Sequence, residues 1–239
     1  MKSKEERSII AVIPARRGST RLPRKNVLPL RGKPLVAHAI DAALETKIFA
    51  GIYVSTDDPE VAKIADQRGV HVIERPEELC KDSVLVDKVM LHVMQVLESR
   101  GERYGAACLM TPTAPLRTVE DVKGAVELLW ERNADFVITV TAYDHTPFHA
   151  LEIKDGILQP VFMESPFSRD PKSLPTLYRP IAIARMGRWE AIMQHGTTFS
   201  PGMVPYVVPP EHAVDIDNAI DLKFAEFLLE DRIERGRES

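Results

Sequence analysis

The chain has 239 residues, 44% hydrophobic and 28% charged, which suits one large globular domain and excludes a disordered or fibrous chain. Its 31 basic and 35 acidic residues leave a formal charge of -4, which argues against a general nucleic-acid binder with positive charge spread over a face. Cys80 and Cys108 are the only cysteines and form no CxxC pattern, so neither a disulfide framework nor a cysteine zinc site is expected.

The predicted elements alternate along the first two thirds. Ser8–Ile13 reads as a strand buried on both faces. Pro34 opens a helix whose apolar stripe is Leu35, Val36, Ala39, Ile40, Ala43 and Leu44. Gly51–Ser55 is a second strand. Thr56, Asp57 or Asp58 caps a helix from Pro59 that Gly69 ends, and Val70–Ile73 is a third strand. Ser83–Ser99 reads as a helix, Ala106–Met110 as a strand, Thr118–Trp130 as a capped helix and Asp135–Thr141 as a strand. This rhythm predicts a single α/β domain over 1–239, with a mostly parallel, doubly wound sheet.

After Thr141 the rhythm breaks. Tyr143–Leu177 is rich in Pro, Asp, Ser and Lys, with a hairpin-like LEIKDGILQPV around Asp155–Gly156. It reads as an insertion (143–177): a surface excursion, a lid, or an arm that makes the chain a homodimer. Order returns with a strand from Tyr178 to Ala184, a helix Arg188–Gln194, a strand Val204–Val208 and a last helix from Asn218 to about Arg235. No apolar run approaches the roughly 20 residues of a membrane span. Ile9–Ala15 is too short for a secretory signal, and Arg16–Arg17 follows it instead of preceding it, so no export signal is expected and a reducing cytoplasm fits.

The first strand runs into IPARRGSTRLPRKN (13–26), a loop carrying Arg16, Arg17, Arg21, Arg24 and Lys25, with Arg31 and Lys33 just beyond. No Asp or Glu occurs from Arg7 to Ile40. So much local positive charge on an acidic chain suits a compact polyanion such as a nucleoside triphosphate, placed beyond the carboxyl end of a strand. Gly18 permits a tight turn, and Ser19 with backbone N–H groups can donate to phosphate. Arg16 and Lys25 supply a planar fork and a point charge, while the Asn26 amide suits a base or ribose. Neither GxxxxGK[ST] nor GxGxxG is present. The competing reading is a solvated basic loop.

The stretch IPARRGSTRLPRKN followed by LRGKPL (30–35) resembles the opening motif of the CMP-sugar synthetases, above all the CMP-sialic acid synthetase branch, the acylneuraminate cytidylyltransferases. Matching segments follow in order: VSTDDPEVAKIA (54–65), RPEELCKDS (75–83), PTAPLRT (112–118) and VDID (214–217). The resemblance implies transfer of CMP from CTP to the anomeric hydroxyl of an acidic α-keto sugar, with Mg2+ (or Mn2+) and release of pyrophosphate. It makes Arg16, Ser19 and Lys25 triphosphate contacts and Asn26 a nucleotide contact. Arg75 and Ser83 become candidates for the nucleotide side. On their residues alone, Arg75 equally suits a surface salt bridge with Glu77 or Glu78, and Ser83 a helix cap.

Asp215 and Asp217 flank Ile216, so both carboxylates can face one ion. Mg2+ takes one or two protein carboxylates with phosphates and water. The resemblance places the metal on these two, Asp217 foremost; the alternative is that Asp217 caps the last helix. His145 and His149 are four apart, but Pro147 between them spoils the helix a zinc site there would need.

Departures from the family pattern cluster where the acceptor belongs. Thr111 stands where the family has Gln, and Ala114 where it has Ser. His149 stands where the sialic branch often has Lys, and Ile181 follows Arg179–Pro180 where the family has Asn. Thr111, His149, Arg179 and Ile181 are therefore the expected acceptor determinants. Arg169, Lys172 and Arg185, with Arg179, are available to hold an acceptor carboxylate, the competing reading of each being an ordinary solvated charge. Sialic, legionaminic and pseudaminic acids lead, with KDO or another acid as alternative acceptor; a nucleotide-binding regulatory protein that has lost transfer is the non-enzymatic alternative.

Overall fold

The computed structural model describes residues 7–162 and 174–238. Eleven strands and six α-helices follow one another along these residues: β1 (Ile9–Pro14), β2 (Pro29–Leu30), β3 (Lys33–Pro34), α1 (Leu35–Thr46), β4 (Gly51–Thr56), α2 (Pro59–Asp66), β5 (His71–Glu74), α3 (Val86–Ser99), β6 (Ala106–Leu109), α4 (Val119–Glu131), β7 (Phe136–Ala142), β8 (Leu151–Lys154), β9 (Ile157–Pro160), β10 (Tyr178–Arg188), α5 (Trp189–His195), β11 (Val204–Val207) and α6 (Ala219–Glu238).

Seven strands form the central sheet in the order β11-β7-β10-β6-β1-β4-β5. Only β10 runs antiparallel, between β6 and β7. The pleat of β1 divides the core. Ile9, Ala11 and Ile13 pack with apolar residues of α1, α2 and α4, while Ile10 and Val12 pack with those of α3 and α5. A smaller cluster joins Leu30 and Leu35 to Leu116, Val214, Ile216 and Ala225, seating α6 beside the carboxyl end of the sheet.

Local chemistry explains the boundaries. Asp58 caps α2 by accepting from the Glu60 N–H, with Pro59 in the first turn. Thr118 and Asp121 form a reciprocal capping box on α4. Asp155 (φ 52°) and Gly156 (φ 78°) make the two-residue β8–β9 turn, the left-handed pair that a tight hairpin needs.

Three expectations are corrected. Helix α3 starts at Val86 with Leu85 before it, so Ser83 is no cap. Leu44 is 40% exposed, while Ala43 and Thr46 of the same last turn are buried, so the buried face of α1 runs through Thr46 and Leu44 lies at its edge. The strand after Tyr178 runs on to Arg188, with an irregularity between Pro180 and Arg185. There Gly187 lies so close to Phe136 that a Cβ would come within 2.6 Å of its ring. No described helix is long and apolar enough to cross a membrane. Arg169 and Lys172, with the middle of the 143–177 insertion, lie outside the described residues.

Candidate active site

A cavity of about 330 Å3 opens beyond the carboxyl ends of β1 and β6. It is lined by Arg16, Gly18, Ser19, Lys25, Asn26, Arg75 and Thr111 among the expected residues, and also by Arg21, Lys81 and Asp82. Val84, Val86 and Val89 make an apolar wall. Sequence segments up to 95 positions apart (Arg16 to Thr111) thus meet because β1 and β6 are adjacent.

Each cation is aimed by a neighbour. Arg16 donates to the Cys80 carbonyl (2.8 Å) and pairs with Asp82, tying the loop to the 75–83 segment. Lys25 sits with Nζ 2.9 Å from the Ile216 carbonyl and 3.0 Å from Asp217 Oδ1. Arg21 takes the other oxygen of Asp217, at 2.9 Å. The Asn26 amide donates to the Arg16 carbonyl (2.8 Å), closing the loop on itself.

The competing readings resolve. Arg75 is 5% exposed and makes no ion pair with Glu77, Glu78 or any other of the described residues; it donates to the Ser55 carbonyl (2.8 Å). Burial lowers its pKa to about 10, and nearby Arg16 adds to the shift, so it stays charged at neutral pH. The first turn of α6 is satisfied by others: Asn218 Oδ1 accepts from Ile220 and Asp221, and Asp221 accepts from the backbone of Asp217 and Asn218. The Asp217 carboxylate is left for Lys25 and Arg21.

The basic stretch does not act as one device. Arg24 is spent on Asp58 and Glu60, Arg31 on Glu230 and Lys33 on Asp41. Three of the seven basic residues, Arg16, Arg21 and Lys25, face the cavity. Ser83 is exposed and does not line it, although Asp82 and Val84 on either side do.

The remaining predicted residues divide among other places. Arg179 donates to the Ala213 carbonyl (3.0 Å) and lines a second cavity of about 490 Å3 with Asp215, Asp144 and Phe224. Asp215 is exposed there, so the two carboxylates of VDID turn to different partners, although Ile216 is buried between them. His149 lines a third hollow with Tyr143, Asp144, His145 and Thr146. Ile181 is corrected: it is 3% exposed in the core under β10 and lines none of these cavities, because an apolar β-branched side chain is stable there and an amide is not. Arg185 is corrected too. It is 7% exposed, pairs with Asp87 at 3.2 Å, stacks on Phe199 and lines none of these cavities.

One residue of the floor escaped the sequence reading. Arg117 lies beneath Thr111, 5% exposed, donating to the carbonyls of Thr111 and Ala182. Burial lowers its pKa to about 10, against the opposing pull of Cys108, Asp215 and Asp121. It stands in the quoted PTAPLRT, but only the fold shows that the two segments it joins are neighbours.

The donor chemistry at VDID suits a hard cation: oxygen only, on an exposed and a half-buried carboxylate. No group of three or more His, Cys, Asp or Glu collects among the described residues.

Residues 10–155 match the model of the cytidylyltransferase family. A pseudaminic acid cytidylyltransferase of Campylobacter jejuni is 28% identical over 220 residues, covering 92% of this chain and 95% of that protein. The CMP-N,N'-diacetyllegionaminic acid synthase of Legionella pneumophila is 30% identical over 227 residues, covering 93% and 96%. The N-acylneuraminate cytidylyltransferase of Escherichia coli is 27% identical over 91% of this chain and 51% of that protein. In fold, a CMP:2-keto-3-deoxy-manno-octonic acid synthetase solved with CTP superposes with a TM-score of 0.68 at 17% identity, over 94% of this chain and 99% of that one. Motifs, cavity and similarity agree: the chain belongs to the cytidylyltransferase family.

Proposed function

We propose that this chain transfers CMP from CTP to the anomeric hydroxyl of a nonulosonic acid, of the pseudaminic, legionaminic or sialic class, and releases pyrophosphate. The observation that carries the reading is the single cavity holding Arg16, Ser19, Lys25, Asn26 and Arg75 at the sheet's carboxyl end, with Asp217 on Lys25. The relatives named for such acids, similar along nearly the whole chain, support the acceptor class.

In the reaction the acceptor oxygen attacks the α-phosphorus of CTP. The bond to the bridging oxygen breaks, pyrophosphate leaves with the electron pair, and the hydroxyl proton is lost. Lys25 and Arg16 hold the triphosphate in line and oppose the charge on the leaving group. Gly18, Ser19 and the loop N–H groups cradle phosphate oxygens, while Asn26 and Arg75 hold the nucleoside side. Thr111, at the cavity's far edge, faces the acceptor, with Arg179 beside the second cavity for its carboxylate. Asp217 would hold Mg2+ (or Mn2+), joined by Asp215 once its carboxylate turns from the second cavity, and the ion would supply charge neutralisation at the phosphates. Binding the triphosphate frees Asp217 from Lys25 and Arg21 by giving those cations a stronger anion.

The insertion is the proposed dimer contact. All eight residues of β8 and β9 are exposed, including Leu151, Ile153, Ile157 and Leu158. An isolated two-stranded hairpin of this kind is marginal in water until something covers it. A reducing cytoplasm is the proposed setting.

The test is pyrophosphate release with CTP, Mg2+ or Mn2+, and pseudaminic, legionaminic, N-acetylneuraminic acid and KDO in parallel. Release with a nonulosonic acid is expected. CTP binding without release for any acceptor would favour a regulatory protein, and equal use of ATP would remove the cytidine claim.

A further inference from the structure

The segment Ser55–Asp58, at the end of β4, lies outside the roles assigned so far, and neither of its two acids lines the phosphate cavity. Yet each of its four residues holds the basic loop or its neighbour Arg75. The Ser55 carbonyl accepts from the Ala15 N–H (2.9 Å) and from Arg75 (2.8 Å). Thr56 Oγ1 donates to the Ala15 carbonyl (2.6 Å) and accepts from the Asp58 N–H (2.9 Å). Asp57 Oδ1 accepts from the Arg17 N–H (2.8 Å). Asp58, 3% exposed, receives the Arg24 guanidinium at 3.2 Å, and Glu60 receives it at 2.7 Å.

These contacts fall at the two ends of the loop. Ala15 and Arg17 enter it; Arg24 leaves it, with φ 57°, a left-handed backbone that a long side chain rarely adopts without outside support. Lys25 and Asn26 follow Arg24 directly, so the backbone turn at Arg24 decides where the Lys25 ammonium and the Asn26 amide lie. The Asp58 carboxylate is itself immobilised as the cap of α2. Asp57 and Asp58 therefore fasten both ends of the loop to a rigid strand–helix junction without engaging Arg16, Arg21 or Lys25, whose carboxylate partners are Asp82 and Asp217.

We infer that Asp57, Asp58 and Arg24 are positioning residues for the triphosphate: a latch that pre-orders the loop and sets affinity for the β- and γ-phosphates. The inference rests on the reading of this cavity as the triphosphate site. Preorganisation lowers the ordering cost at binding, so loss of the latch weakens ligands in proportion to how much phosphate they carry.

Calorimetric titration with CTP, CMP and inorganic tripolyphosphate tests this on the full chain. Arg24→Ala, at a half-exposed position that leaves the core intact, should weaken CTP and tripolyphosphate about tenfold and CMP by less than about twofold. Arg24→Lys should recover most of the loss. Asp58→Asn should act in the same direction, and the double variant should be no weaker than the worse single one, since one contact is broken in each. Unchanged CTP and tripolyphosphate affinity in Arg24→Ala, or an equal loss for CTP and CMP, would overturn the latch. Tripolyphosphate binding with the expected variant effects but no CTP binding would refute the cytidylyl reading and leave the latch standing. Binding of neither by the unaltered chain would overturn both.

Discussion

The two ends of the proposed reaction are built differently. The phosphate end rests on the adjacent strands β6, β1 and β4, and its cations Arg16, Arg21 and Lys25 are held by carbonyls and carboxylates from two separate segments, 80–82 and 216–217. The acceptor end is spread over Thr111, Arg179 and His149 near the start of the 143–177 insertion, each beside a different cavity. A triphosphate has the same shape in every such reaction, and a rigid cradle serves it best. An acceptor varies, and side chains on a loosely supported excursion can change without disturbing the core.

The largest effect should come from emptying the rigid end. Lys25→Ala should lower kcat/KM for pyrophosphate release by about a hundredfold or more, near 2.7 kcal/mol, with Tm almost unchanged. Activity within about tenfold of the original would mean that the cradle is not where phosphate is held. Next is the joint between the ends. Arg117→Met strands the Thr111 and Ala182 carbonyls while relieving a buried charge, for a net loss of about 1–3 kcal/mol in thermal or urea unfolding. It should raise KM for the acceptor more than for CTP; an equal rise in both would place Thr111 on the nucleotide side.

The exposed end is challenged by Ile153→Asp with Leu158→Asp, cross-strand neighbours in the hairpin. Sedimentation should show a dimer becoming a monomer while the Tm of the core shifts little. A chain that is monomeric without the substitutions ends the arm proposal. The smallest effect is acid sensitivity at the rigid end. Burial holds His38 on α1 and His92 on α3 below the ordinary histidine pKa, so the folded chain protonates them less readily than the unfolded one. The unfolded chain then binds more protons, and stability falls as pH drops below about 6.5. Burial pushes Asp41 up, but Lys33 and Arg68 outweigh it and hold it below the usual range, so its contribution survives until more acid conditions. A Tm that stays flat from pH 7.5 to 5.5 would contradict this.

How much was legible varies by residue for physical reasons. Helix caps and the hairpin turn are short-range chemistry, so Thr118 and Asp155–Gly156 could be read directly and the α2 cap narrowed to Thr56, Asp57 or Asp58, of which the fold uses Asp58. The loop following β1 could be read because unbalanced charge next to an apolar run is a local signal. The antiparallel run of β10 was not legible, because strand direction depends on where the preceding insertion returns the chain. Nor was the division of the basic residues between the cavity and Asp58, Glu230 and Asp41, since those partners lie up to 199 positions away. Ile181 misled for a related reason: a motif position shows which side chain changed, and only burial shows that it left the site.

Sequence by itself determined the α/β class, the parallel rhythm, the polyanion loop and the family resemblance, because periodicity, caps and charge runs act over a few residues. The tertiary structure alone decided that Asp217 meets Lys25 and Arg21 while Asp215 turns to a second cavity, that Arg117 underlies Thr111, and that Asp57 and Asp58 grip the loop's two ends. Those pairings depend on which strands lie side by side, and strand order is set by the packing of the whole chain.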